Sequence, residues 1–102
     1  MKLPASIRIG PYPCKVVRSS PESEDFGTFD TTTYEIEIAE SGFSSEAQEA
    51  ATVIHEIIHA IIHIYKIKVP DEEGLVEILD TALAQVLKDN KTLWRALLKA
   101  LK

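Results

Sequence analysis

Polar and apolar positions alternate early in the chain and recur at helical spacing later. Tyr34, Ile36 and Ile38 alternate with Glu35 and Glu37, a period of two that predicts a strand over residues 33–39 with one apolar and one acidic face. Short strand-like segments at 7–9 and 15–18 stop at Gly10, Pro11 and Pro13 and at Ser19, Ser20 and Pro21, and 26–30 offers another short strand. Residues 20–25 are polar and turn-forming, a connecting loop. From 44 or 45 the period changes: Ser44 or Ser45 caps a helix that runs to about Tyr65, with Glu46 suiting its N-terminal dipole. Val69 precedes proline and is extended. Asp71 then caps a second helix, which carries Leu75, Val76, Ile78, Leu79, Leu83, Val86 and Leu87 to the Asn90 break. Residues 92–101 predict a short third helix with Leu93, Leu97, Leu98 and Leu101 on one side and Arg95, Lys99 and Lys102 in solvent; Trp94 and these leucines suit either core or a dimer surface. The expected architecture is α+β: a small antiparallel N-terminal sheet of about three strands, packed on the first helix and followed by two more helices, in one domain over 1–102.

Composition narrows the setting. At 102 residues, 45% hydrophobic and 26% charged, the chain has an ordinary globular composition with room for a single core. A net charge of -5 argues against nucleic acid or anionic membrane as the main partner. No apolar run approaches the roughly 18 residues of a membrane span, and the start lacks a secretion-signal pattern, so a cytoplasmic protein is expected. Cys14 is the one cysteine; it reads as a small, half-buried apolar residue rather than a nucleophile.

The candidate chemistry lies in the first helix, where His55, Glu56, Ile57, Ile58 and His59 form the pattern HExxH. Residues four apart on a helix share a face about one turn of ~5.4 Å apart, so both imidazoles can reach one ion at about 2.0–2.1 Å. Glu56 beside them is the expected general base for a water activated by zinc. The flanking residues 50–54 and 60–62 are apolar on nearly every face, so these polar groups would be costly to bury without a metal.

A catalytic zinc takes three protein ligands. The remaining histidine, His63, lies eight residues beyond His55, a rise of about 12 Å, which excludes it as a shared ligand. Carboxylates on the following helix remain. Here the sequence resembles the gluzincins, the thermolysin-like zinc peptidases whose third ligand is a glutamate on the next helix. The separation between His59 and Glu77, residues 60–76, is close to that of several gluzincin families and favours Glu77. Glu73 is the alternative, explained equally by the preference for acids in a first helical turn. Whichever carboxylate does not bind metal, or Asp80, can orient a histidine through its other ring nitrogen.

The chain as a whole also resembles a group of small phage and prophage metallopeptidases, through Thr52 before the HExxH, the DEEGLVEIL segment and the LKDN that precedes the last helix. The resemblance implies zinc-dependent peptide-bond hydrolysis; a monomer or weak dimer is expected, and the charge balance points to no nucleic acid or membrane partner. It assigns the strand at 34–39, from Tyr34 to Ala39, to pairing with an extended peptide or protein substrate. Tyr65, His63 and Tyr34 are candidates for a further oxyanion donor. The alternative is a zinc-binding regulatory or interaction module with little turnover.

Overall fold

A computed structural model describes residues 1–20 and 25–101. Among them the chain forms strands β1 (Ser6–Ile9), β2 (Tyr12–Ser19), β3 (Gly27–Phe29) and β4 (Ile36–Ala39), then helices α1 (Glu46–Ile64), α2 (Glu72–Asp89) and α3 (Lys91–Ala100). The α+β expectation holds, but the sheet has four strands in the order β1-β2-β4-β3 and is mixed. β1 pairs antiparallel with β2, joined by a two-residue turn in which Gly10 has φ +58°, a conformation favoured by glycine. β4 inserts between β2 and β3, parallel to the first and antiparallel to the second. The alternation of residues 34–38 does not disclose that placement. Of the loop expected at 20–25, residues 21–24 lie outside the described residues.

Strand β4 begins later than the alternation over residues 33–39 predicts. Asp30 accepts hydrogen bonds from the backbone N–H groups of Thr32 and Thr33 at 2.7 and 3.0 Å, and the Tyr34 N–H donates to the Asp30 carbonyl at 2.8 Å. This local turn satisfies backbone groups that a strand would otherwise engage, and it holds Tyr34 at φ +60°.

Helix α1 is the centre of the domain. Ser45 caps it, its hydroxyl accepting from the Gln48 N–H at 3.1 Å. One flank, with Val53, Ile57, Ala60 and Ile64, packs on a core of Ile9, Cys14, Ile36 and Ile38 from the sheet. Another, with Ile54, Ile58 and Ile62, packs on Val69, Val76 and Leu79. Cys14 is wholly buried, more so than expected, and burial raises its thiol pKa, consistent with packing rather than reactivity. Arg18 joins sheet to helix, donating to the Ala39 carbonyl at 3.0 Å and to the Glu49 carboxylate at 2.8 Å.

Candidate metal centre

With two flanks of α1 committed to apolar packing, the residues between them face a cleft: Thr52, His55, Glu56, His59 and His63, all of which line cavities. The cleft's other wall is the start of α2. Asp71 caps that helix by accepting from the Gly74 N–H at 3.1 Å, and fully buried Val76 anchors it against Ile58 and Ile62. These two contacts set which acids face α1.

The acid that reaches both imidazoles is Glu73. Its carboxylate oxygens lie 2.9 Å from His55 Nε2 and 3.0 Å from His59 Nε2, and the two Nε2 atoms are 3.2 Å apart. Ligand atoms of His55, His59 and Glu73 all fall within 4.8 Å of one another, a grouping that can hold a metal ion. Glu77, the favoured candidate from spacing, is exposed and outside this group. A helix turns about 100° per residue, so with Val76 on the seam Glu77 is carried around its side, whereas Glu73 and Asp80 stay near it.

The opposite ring nitrogens are held as well. His55 Nδ1 is 2.8 Å from Asp80 Oδ2, and His59 Nδ1 is 2.6 Å from Glu72 Oε2. A carboxylate on Nδ1 fixes the proton there and leaves the Nε2 lone pair outward. With that tautomer two Nε2 lone pairs and the Glu73 carboxylate converge on one region, a donor set that can hold a metal ion. Thr81 Oγ1 donates to Asp80 Oδ1 at 2.9 Å, steadying the carboxylate that steadies His55. Asp80, one of the carboxylates considered for orienting a histidine, is the one in contact with His55. Glu72 contacts His59 in the same way, a part that could have been read only by knowing which turn of α2 faces α1.

Glu56 is 5% exposed. Burial raises its pKa, the neighbouring histidines oppose that, and the charges of Glu73 and Asp25 add to it. For His55, burial alone would lower the pKa, but the hydrogen bond to Asp80 and the surrounding carboxylates raise it. Gly27 explains how Glu56 is covered. A Cβ at this position would lie 2.9 Å from Thr52 Cγ2 and 3.0 Å from Glu56 Oε2, so with any other residue these side chains would have to give way. Nothing in the local sequence signals that requirement.

Two cavities meet at Glu56. One of about 700 Å³ extends past His59 between Tyr12, Phe29, Tyr34 and His63, whose rings form a cluster with centroids 4.8–6.1 Å apart. The other, about 340 Å³, lies on the His55 side between Phe26, Gly27 and Asp80. Tyr34 and His63 therefore border the cleft. Tyr65 packs by the β1–β2 turn instead, its hydroxyl 3.2 Å from where a Gly10 Cβ would lie.

Comparison with protein-family models, curated proteins and solved structures found no match to this chain.

Proposed function

We propose that the protein is a zinc-dependent peptidase in which His55, His59 and Glu73 hold the ion and Glu56 is the general base. The carrying observation is the convergence of two Nε2 atoms and the Glu73 carboxylate, with each imidazole backed by a carboxylate on its other nitrogen. The donor set fits zinc, which accepts histidine nitrogen and glutamate oxygen. Zinc bound there would supply Lewis acidity and lower the pKa of water toward about 7. Glu56 would take the proton from that water and deliver it to the leaving amine, as a carboxylate buried beside the two histidines is placed to do. A purely structural ion has no use for a buried carboxylate beside its ligands.

The substrate is a peptide lying through the two cavities that meet at Glu56. Residues 34–39 were expected to pair with it, but β4 already has partners on both edges. The outer edge of β3 is the sheet edge beside α1, so strand addition is reassigned to Gly27–Phe29. Tyr34 and His63, on the cavity wall, are the remaining candidates to donate to the developing oxyanion.

The test is a comparison of wild type with Glu56→Gln by elemental analysis and by cleavage of a peptide library. The proposal expects both proteins to bind one zinc per chain and only wild type to cleave, with a loss of at least about 10²-fold in the variant. Zinc bound by both and no cleavage by wild type would leave a binding module instead.

A further inference from the structure

The C-terminal helix has a construction that the peptidase reading does not use. Its apolar residues Leu93, Trp94, Leu97, Leu98 and Leu101 share one side, and Leu98 and Leu101 are 67% and 75% exposed. α3 buries no residue, and the element it touches is α2. Its other side carries Lys91, Arg95 and Lys99, with no acid from Lys91 onward, although the chain as a whole is at -5. Among the described residues none of these three cations forms an ion pair. The net charge therefore conceals a segregated basic segment. A leucine-rich face with a tryptophan, opposed by an entirely cationic face, is the pattern of a helix that lies in a membrane interface.

We propose that α3 docks on an anionic lipid surface, with Leu98 and Leu101 entering the acyl boundary and Lys91, Arg95 and Lys99 meeting the headgroups. Charge separates this occupant from a second copy of the chain. Two α3 faces brought together would bury the leucines but leave the cations pointing outward without partners, whereas the surface potential of a bilayer reaches cations on the flanks and back of the helix over a Debye length of about 10 Å at 0.1 M salt. Trp94, half-buried on the same side of the helix, suits the same setting, since tryptophan favours the headgroup level. No described helix is long and apolar enough to cross a membrane, so α3 would lie on the surface.

Trp94 is the single tryptophan, which makes the test direct. The full chain is mixed with vesicles of phosphatidylcholine alone or with phosphatidylglycerol, and co-sedimentation and Trp94 emission are followed. Binding with a blue shift is expected only on the anionic vesicles and should weaken as salt rises. The triple variant Lys91→Glu, Arg95→Glu, Lys99→Glu should bind about 100-fold more weakly, and Leu98→Ser with Leu101→Ser should also lose binding. These positions are exposed, and circular dichroism checks that the variants remain folded. Equal binding to both vesicle types, or none at low salt, overturns the proposal. A concentration-dependent dimer that shifts Trp94 emission without vesicle binding assigns the face to a second copy and overturns it as well.

Discussion

Helix α1 hides polar groups and helix α3 displays apolar ones. In α1, Glu56 is 5% exposed while His55 and His59 are half-buried between sheet and α2; in α3, Leu98 is 67% exposed and no residue is buried. Both arrangements are costly for an isolated chain in water. In α1 the compensation is internal, because both ring nitrogens of His55 and of His59 have a carboxylate partner and their Nε2 atoms converge with Glu73 on a grouping that can hold a metal ion. In α3 no such compensation is found among the described residues, which is why a surface outside it is proposed. The difference teaches that where a helix leaves polar or apolar groups unmatched, their chemistry narrows the kind of partner to test for.

The largest effect should come from breaking the α1 side at its ligands. Glu73→Ala is expected to abolish stoichiometric zinc binding, while Glu77→Ala leaves it unchanged, as measured by titration against a zinc chelator. Weaker losses, about 10–100-fold in affinity, are expected from Asp80→Ala and Glu72→Ala, which free a histidine ring without removing a ligand.

Stability sharpens the contrast between buried and displayed residues. Ile38→Ala, in the sheet core beneath α1, should cost about 2–5 kcal/mol in urea unfolding. Leu98→Ala should change stability by no more than about 0.5 kcal/mol. A large loss from Leu98→Ala would mean that α3 is packed after all.

Gly27→Ala tests how closely the Glu56 carboxylate is held. The added methyl would press on Thr52 and Glu56, and a displacement near 1 Å at a reacting group costs about 10²-fold in rate. With Glu56 as the proposed base, cleavage should fall by up to about that factor with zinc content unchanged.

The smallest effect is a pH dependence. The Arg18 hydrogen bond lowers the Glu49 pKa, against burial and with help from the N-terminal amine. Because the folded pKa is depressed, this contribution to stability is complete above the ordinary glutamate value and is lost as pH falls through the folded one. The thermal midpoint of wild type should accordingly drop more steeply with acid than that of Arg18→Met.

Local chemistry was legible in the sequence. The caps Ser45 and Asp71, the three helices and the His55, Glu56, His59 stripe all follow from residues close together in the chain. What escaped depended on contacts between distant segments. Val76 seating against Ile58 and Ile62 chooses Glu73 over Glu77, a choice that spacing along the chain does not contain. Insertion of β4 between β2 and β3 moves the open sheet edge to β3, and the approach of Gly27 to Glu56 is a contact across the cleft. Asp30 overrode the alternation at Tyr34 through side-chain hydrogen bonds that strand periodicity does not register. In α3 the stripe was visible, but the net charge of the chain masked what its two faces imply together.

The central claim is that His55, His59 and Glu73 form one metal site. It is tested most directly by crystallising the zinc-loaded protein and recording anomalous diffraction at the zinc edge. The account predicts a single strong peak about 2.0–2.2 Å from His55 Nε2, His59 Nε2 and a Glu73 oxygen. A peak bound by Glu77 in place of Glu73, or none between the two histidines, would contradict it.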